Sequence, residues 1–222
     1  MIETITGWQS LVSTLSLSTT HLIGSDRLSS PEQIPVLSPA TGKVVGSIPR
    51  GTKVEIDLAV SAARRAFDFG PWPKMSPRER KEYMLKFADN IEKHRDELAA
   101  LVTLEMGKPI SDSWGIELRA LIRTIQWFAE MADKIYDETP QVGEDAVALI
   151  TREPVGVVGV VTPWNFPLTL TAWKIAPALA VGCTLVVKPS EISSLSVIRL
   201  AELALESGIP SGAINVVTGI GP

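Results

Sequence analysis

The spacing of hydrophobic positions changes near residue 155 and divides the sequence into two parts. After this point, apolar runs over 155–161, 184–187 and 214–217 alternate with amphipathic stretches over 167–181 and 194–207. Strands without interspersed polar residues are typical of a sheet that is covered on both faces. The pattern therefore predicts an α/β fold with an open, doubly wound parallel sheet and right-handed crossovers.

The part before residue 155 begins with turn-rich segments and continues with helical periodicity. Between His21 and Pro49, short apolar runs alternate with Gly, Ser, Asp and Pro, which predicts hairpins on the surface. A helix is predicted over 112–135 and a strand over 146–150. Hairpins and helices thus precede the predicted sheet.

Two pairs of residues have the spacing of a helix capping box. They are Thr52 with Glu55 and Ser76 with Glu79. The first pair predicts a helix over 54–69. The second, with Pro77 at the first helical position, predicts a long helix that reaches toward Gly107.

Composition narrows the class of protein only slightly. Hydrophobic residues make up 45% and charged residues 21%, as in ordinary globular proteins, and the net charge is −4 without a basic cluster, so we expect no nucleic-acid partner. No stretch approaches the roughly 20 apolar residues of a membrane span, and no export signal precedes Thr20, so we expect a cytoplasmic protein. A single cysteine, Cys183, fits a reducing compartment and gives no support for a metal site.

Ligands of open parallel sheets bind beyond the carboxyl ends of the strands, so 162–167, 188–191 and 218–222 are the candidate segments. A glycine-rich dinucleotide fingerprint is absent from the first of them. Gly156 and Gly159 lie inside the predicted strand and not in the turn that opens a helix.

The first segment holds Asn165 between two prolines, close to the start of a helix. Its amide can stabilise an oxyanion without transferring a proton. Capping of the helix by the same side chain is an equally good interpretation. Farther along, Phe166, Leu170 and Trp173 share one helix face, which is more often packed in a core than used as a substrate channel.

The second segment contains Lys188, Ser190 and Glu191. Nucleotide-binding sheets place an acidic residue after this strand to accept a hydrogen bond from the adenosine ribose, and Lys188 could bind the same hydroxyls. Alternatively, Ser190 and Glu191 begin the next helix, where carboxylates are favoured.

The remaining candidate groups give weaker signals. Cys183 begins a buried strand with no base nearby in sequence, which favours an inert, packed thiol over a nucleophile. His21 and His94 are expected to be solvated, in a hairpin and on a charged helix face.

Several longer motifs resemble those of the NAD(P)-dependent aldehyde dehydrogenases. They occupy, in order, residues 38–42, 104–109, 152–157, 163–168, 173–180, 188–191 and 219–222. The resemblance covers nearly the whole chain and matches the N-terminal part of the family. It implies a Rossmann-like sheet of the aldehyde dehydrogenase type, truncated before the catalytic domain.

The resemblance also implies roles for individual residues. Asn165 becomes the side-chain donor of the oxyanion hole. The cofactor that it implies is NAD, with NADP as the alternative. The residues that it places along this cofactor are Thr162, Pro163, Trp164, Lys188, Ser190, Glu191 and Gly221. Those that it places along the aldehyde tunnel are Phe166, Leu170 and Trp173. Because a carboxylate near the ribose 2′ position repels a phosphate, Glu191 favours NAD over NADP.

The same resemblance divides the chain into three segments. Residues 1–135 form the first hairpins and helices of the cofactor-binding domain, 136–154 an oligomerisation arm, and 155–222 the first part of the nucleotide-binding sheet. The arm implies a homodimer or homotetramer. The stretch 125–130 and the Trp173 helix are most similar to enzymes that act on aminoaldehydes such as γ-glutamyl-aminobutyraldehyde or betaine aldehyde.

One departure limits the expected activity. The family's nucleophilic cysteine, its general-base glutamate and a Gly-Ser phosphate turn all lie farther along the chain than Pro222. Cys183 matches a position that the family does not use in catalysis. We therefore expect an aldehyde-oxidising family in which these 222 residues alone do not turn over, and the alternative is a non-catalytic nucleotide-binding or oligomerisation fragment.

Overall fold

The computed structural model describes residue 2 and residues 4–221. Its strands are β1 (His21–Ile23), β2 (Asp26–Leu28), β3 (Gln33–Leu37), β4 (Val44–Pro49), β5 (Val157–Val161), β6 (Thr184–Lys188) and β7 (Ile214–Val216). Its helices are α1 (Ile5–Thr14), α2 (Lys53–Asp68), α3 (Pro77–Lys93), α4 (Arg95–Met106), α5 (Ile110–Asp112), α6 (Leu118–Met131), α7 (Pro167–Ala180) and α8 (Leu195–Glu206).

The second half of the chain has the predicted α/β architecture. β5 pairs in parallel with β6, and β6 in parallel with β7, with α7 and α8 as the two crossovers. Leu185 and Val187 of β6 face the core that contains α7 and α8, whereas Val186 packs with Ala59 and Ala63 of α2. The sheet is therefore covered on both faces, which explains why its strands carry few polar residues.

An antiparallel hairpin extends this sheet, and the order of its strands is β2-β1-β7-β6-β5. β1 lies beside β7, with Leu22 opposite Val216, and all three of its residues are buried. The two hairpins between residues 21 and 49 are confirmed, but the placement of the first on the surface was wrong. Its apolar residues are covered by pairing with a strand that lies almost 200 residues away along the chain.

Asn215 joins this hairpin to the parallel strands. Its fully buried amide donates to the carbonyl oxygens of Leu185 and Gly212, both at 2.9 Å, and its side-chain oxygen accepts from the Gly24 amide at 2.7 Å. All three hydrogen bonds of the side chain are made to backbone groups. They link the end of β1 to β6 and to the loop before β7, where backbone groups would otherwise lack a partner.

Both predicted capping boxes are present. Glu55 accepts from the Thr52 backbone at 2.7 Å, and Glu79 from the Ser76 backbone at 2.8 Å. Each carboxylate also accepts from the hydroxyl of the same Thr52 or Ser76, and these hydroxyl bonds, followed by the backbone bonds, hold the pKa of each glutamate below its ordinary value. The helix predicted from residue 77 to Gly107 is interrupted at His94, whose backbone and ring nitrogens both lie within hydrogen-bonding distance of the Asn90 carbonyl oxygen.

Three other elements of the structure differ from the sequence analysis. Helix α1 was not predicted, and it is capped by Thr4, whose hydroxyl accepts from the Gly7 amide. The helix predicted over 112–135 begins with a π-helical turn, Ser113–Glu117, and ends in a 3₁₀ turn, Ala132–Lys134. The strand predicted over 146–150 is absent, because the backbone there makes only one antiparallel bridge, between Glu138 and Ile150.

Candidate functional site

The carboxyl ends of β5, β6 and β7 lie side by side at one edge of the sheet. The Thr162 amide donates to the Lys188 carbonyl oxygen at 3.2 Å, and the Val217 amide donates to Val187 at 2.9 Å. The three candidate segments of the sequence therefore start from one edge, as the parallel arrangement predicts.

A cleft of about 640 Å³ opens beside the ends of β6 and β7. Its lining includes Lys188, residues 217–221 and the loop that leads into α2, and it also contains the charged residues Glu32, Arg50 and Lys53. Gly219 has φ +155°, and a Cβ there would come within 3.2 Å of Gly51, so a side chain would push these two walls apart. A Cβ on Gly221 would meet no atom within 4 Å, so the cleft is open at that end.

Lys188 contributes a cationic donor to this cleft. One of its ammonium hydrogens is donated to the Pro189 carbonyl oxygen at 3.0 Å, and an ammonium has three. The side chain is half-buried, so its remaining donors are directed into a partly desolvated space. This arrangement can bind hydroxyl groups or an anion.

Ser190 and Glu191 lie next to the cleft and not within its lining. The Ser190 hydroxyl is 3.3 Å from the Glu191 carboxylate, and the Ser194 hydroxyl donates to the Ser190 carbonyl oxygen. Helix α8 begins only at Leu195, so the alternative in which residues 190 and 191 open the helix is wrong. Their contact with a ribose stays a prediction.

The turn between β5 and α7 is anchored at its first residue and exposed in its middle. Thr162 is buried, and its hydroxyl lies 3.4 Å from that of Thr171. Pro163, Trp164 and Asn165 are exposed. Asn165 does not line the cleft that contains Lys188, and it does not cap α7, whose N-cap is Phe166 without a side-chain hydrogen bond. The capping interpretation was therefore wrong, and the oxyanion role of Asn165 stays a prediction.

The face of α7 formed by Phe166, Leu170 and Trp173, which the sequence assigned either to a core or to a substrate channel, is largely open to solvent. Phe166 is 38% and Trp173 is 58% exposed, and Leu170 is half-buried. A core stripe would be buried, so the core interpretation was wrong for this face, whereas the opposite face of α7 is packed in the core. Lining of a substrate tunnel by these side chains stays a prediction.

The two histidines and the cysteine are absent from the lining of the cleft that contains Lys188. Cys183 is buried at the amino end of β6, which confirms the packed thiol. His94 is only half-buried, at the junction of α3 and α4. His21 is fully buried, so the expectation that it is solvated was wrong.

The surroundings of His21 fix its tautomer. Nδ1 accepts the Thr218 backbone N–H at 3.1 Å, so the other ring nitrogen carries the hydrogen and donates to the Ser30 hydroxyl at 3.0 Å. Burial lowers the pKa of the ring. Neutral His21 thus supports Thr218, which lies in the wall of the cleft.

Two buried glutamates were missed in the sequence. Glu105 accepts from the Leu195 amide at 2.7 Å and the Ser196 amide at 3.2 Å, at the start of α8. Glu117 accepts from the Leu168 amide at 2.9 Å and forms an ion pair with Lys108. Each carboxylate thus caps a crossover helix from a distant part of the chain.

A signal for these glutamates was present in the hydrophobic pattern. Glu105 continues the buried face of Leu98, Leu101 and Val102 at helical spacing. Burial raises the pKa of Glu105 to about 7. A carboxylate in an apolar stripe is costly unless it is hydrogen-bonded, and this indicates a structural role.

A parallel α/β sheet with a polar cleft at its carboxyl edge is the architecture of nucleotide-binding domains. Comparison with known proteins identifies the family. The sequence pattern of the Aldehyde dehydrogenase family matches residues 27–222. The chain belongs to this family.

Relatives and solved structures agree with this assignment. Aminoacetaldehyde dehydrogenase of Pseudomonas aeruginosa is 48% identical over 83% of this chain, and the NADP/NAD-dependent aldehyde dehydrogenase PuuC of Escherichia coli is 44% identical over 96%. The indole-3-acetaldehyde dehydrogenase AldA of P. syringae, solved in complex with NAD+, superposes on 99% of the chain with a TM-score of 0.96 and 40% identity. The chain spans 37% and 44% of the length of the two relatives and 45% of the solved chain.

The described residues contain neither a membrane-spanning helix nor a cluster of metal ligands. Across residue 2 and residues 4–221, every helix is too short or too polar to cross a membrane. Within the same residues, no three His, Cys, Asp or Glu side chains are grouped so that they could hold a metal ion.

Proposed function

We propose that this chain is the cofactor-binding part of an enzyme that oxidises an aldehyde to a carboxylic acid with NAD. The observation that carries the proposal is the cleft at the ends of β6 and β7, which combines the half-buried residue Lys188 with three glycines in its wall, Gly51, Gly219 and Gly221. Glycine walls allow a flat ring to approach the main chain closely. A volume of about 640 Å³ is sufficient for the adenosine half of a dinucleotide.

The residues near this cleft fit the groups of NAD. Lys188 donates to the ribose hydroxyls, Ser190 and Glu191 bind the same sugar, and the backbone of Gly221 lies against the adenine. The chemistry that NAD supplies when it is bound is acceptance of a hydride. The carboxylate of Glu191 disfavours a 2′-phosphate, so NAD is the preferred cofactor and NADP the weaker one.

The turn between β5 and α7 carries the chemistry of the aldehyde. Thr162, Pro163 and Trp164 lie along the cofactor, and the amide of Asn165 donates to the oxyanion that forms when a nucleophile adds to the aldehyde carbonyl. An amide is suited to this role because it donates without losing a proton at neutral pH.

An aminoaldehyde is the proposed substrate class. The support is the resemblance of residues 125–130 and of the Trp173 helix to aminoaldehyde enzymes, together with the 48% identity to an aminoacetaldehyde dehydrogenase. Phe166, Leu170 and Trp173 line the path of the aldehyde. Exposed aromatic side chains of this kind also attract a cationic amine.

The chain alone is expected to bind NAD and not to turn it over, because its only cysteine is buried at the amino end of β6. Calorimetry should detect NAD binding, and Lys188→Met should weaken it about tenfold through loss of a charge-assisted hydrogen bond. Lys174→Met, at an exposed position of α7, is the matched control and should bind as the parent does.

Three results would contradict this set of expectations. They are unchanged affinity in Lys188→Met, reduction of NAD by the 222 residues with any member of an aldehyde panel, and tighter binding of NADP than of NAD. The first result would contradict binding of NAD in the cleft. The second would contradict the expectation that these 222 residues do not turn over, and the third would contradict the preference that Glu191 gives to NAD.

We further propose that residues 136–154 form an arm through which the chain assembles into a homodimer or homotetramer. Val147 and Leu149 are 81% and 71% exposed, and the backbone around them is held by the single bridge between Glu138 and Ile150. Apolar side chains on an extended segment with free backbone groups favour pairing with another chain. This assembly role is also the second candidate function of the chain, as a module without catalysis.

Light scattering tests the arm. The parent chain should have the mass of a dimer or tetramer, and Val147→Asp with Leu149→Asp should shift it toward the monomer because the charges would be buried in the interface. Val54→Asp, which places a charge at an exposed position on the first turn of α2, should leave the mass unchanged. A monomeric parent chain would rule out the arm as an independent assembly element.

A further inference from the structure

The turn that carries Asn165 is held at its far end by a buried ion pair from another part of the chain. Glu117 is fully buried in the π-helical turn before α6, and Lys108, which pairs with it, has a side chain only 9% exposed. Replacing one partner of such a pair leaves the other charge buried and without a counter-charge, which is strongly destabilising. The pair is therefore a rigid element of the fold.

This ion pair determines how α7 begins. Pro167 occupies the first helical position and has no N–H, so Leu168 and Thr169 offer the first free amides. One oxygen of Glu117 accepts both, at 2.9 and 3.4 Å, and the Thr169 hydroxyl is 3.3 Å from the Glu117 carbonyl oxygen. The cap that Asn165 does not provide is supplied from 51 residues away.

The other half of the pair contacts the residue next to Asn165. The ammonium of Lys108 lies 3.5 Å from the centre of the Phe166 ring, a cation–π contact. The turn is thus fixed at both ends. Thr162 is held by β6 and α7, and the far end is held by the contact of Lys108 with Phe166 and by the hydrogen bonds of Glu117 to the first turn of α7. Only Pro163, Trp164 and Asn165 project freely between these anchors.

We propose that Glu117 and Lys108 are positioning residues for Asn165, which act through the first turn of α7 and through the Phe166 ring. The inference rests on the proposed function, since it concerns the direction in which the Asn165 amide points. Preorganised donors stabilise an oxyanion because they do not reorient during the reaction. Glu117 and Lys108 supply that fixed orientation without touching the aldehyde.

Two measurements on the 222-residue chain, without cofactor or aldehyde, test the proposal. In Glu117→Gln, amide hydrogen exchange at Leu168 and Thr169 should accelerate about tenfold, as expected for a weakened cap. The side-chain NH₂ resonances of Asn165 should shift and broaden in the same variant and in Lys108→Met. A purely structural pair would change global stability without moving the Asn165 resonances.

Glu105→Gln is the matched control, because Glu105 caps α8 in the same manner. At about pH 8, where Glu105 is ionised because its pKa is about 7, the substitution should accelerate exchange at Leu195 and Ser196 and leave Leu168, Thr169 and Asn165 unchanged. Exchange at Val187, in the interior strand β6, reports on unfolding of the whole chain, so a variant that fails to fold is recognised.

The outcomes separate this inference from the proposed function. Unchanged Asn165 resonances in both Glu117→Gln and Lys108→Met overturn the positioning role, even if NAD binds to the parent chain. A chain that does not bind NAD in calorimetry, but shows the expected exchange and resonance changes, contradicts the cofactor role and leaves the link between Glu117 and Asn165 intact.

Discussion

Asn165→Ala should lower kcat by a factor of about 10²–10³ in a family-length protein that begins with this sequence, which is the usual effect of removing one oxyanion donor. Asn165 is exposed between two fixed ends of a turn and makes no helix cap, so its loss removes a donor and not a structural contact. The KM for NAD should stay within about twofold of the parent value, because the Asn165 amide is expected to bind only the oxyanion and not the cofactor. Steady-state kinetics with a fixed aldehyde measure both quantities.

Asn165→Asp is the informative companion variant. It retains the size of the side chain and replaces the donor by a negative charge, which repels the developing oxyanion, so its kcat should be at least as low as that of the alanine variant. Equal loss of kcat and of NAD affinity in Asn165→Ala would instead indicate a collapsed turn. A kcat within about threefold of the parent value would remove Asn165 from the proposed mechanism.

The parallel part of the fold could be predicted because its signals are local. Capping boxes at Thr52 and Ser76 and the apolar runs of β5 to β7 depend on residues that are close in sequence. The edge of the sheet could not be predicted in this way. β1 is buried because it pairs with β7. This long-range pairing also buries His21 and brings its ring to the Thr218 amide, which its neutral form binds.

The site shows the same limit. Asn165, Lys188 and Gly221 follow the ends of strands, so the topology predicted their common edge. Whether Asn165 caps α7 depended on Glu117, a residue in a different helix. Glu105 and Glu117 have local signals only as acids within apolar stripes, and the backbone amides that they cap lie 51 to 91 residues away. Long-range capping of this kind has no signature within a short sequence window.

The free energy of unfolding should fall as the pH rises from about 5 to about 8, by about 3 kcal/mol, because of Glu105. Burial raises the pKa of this carboxyl from 4.5 to about 7 in the folded chain. Between these values the folded state binds more protons than the unfolded state, so the stabilisation is complete below about 4.5 and is lost as the pH rises through about 7. Urea unfolding at a series of pH values measures the effect.

Glu105→Gln isolates this contribution from that of His21, whose lowered pKa acts in the opposite direction. Neutral, buried His21 resists protonation, so its contribution grows as the pH rises through the ordinary value of 6.5. The difference in unfolding free energy between the parent chain and Glu105→Gln cancels the histidine term, because the variant retains His21. The parent should lose stability relative to this variant between pH 5 and 8, since glutamine imitates the protonated carboxyl throughout. Parallel curves for the two proteins would mean that the hydrogen bonds from Leu195 and Ser196 keep Glu105 ionised in the folded chain despite its burial.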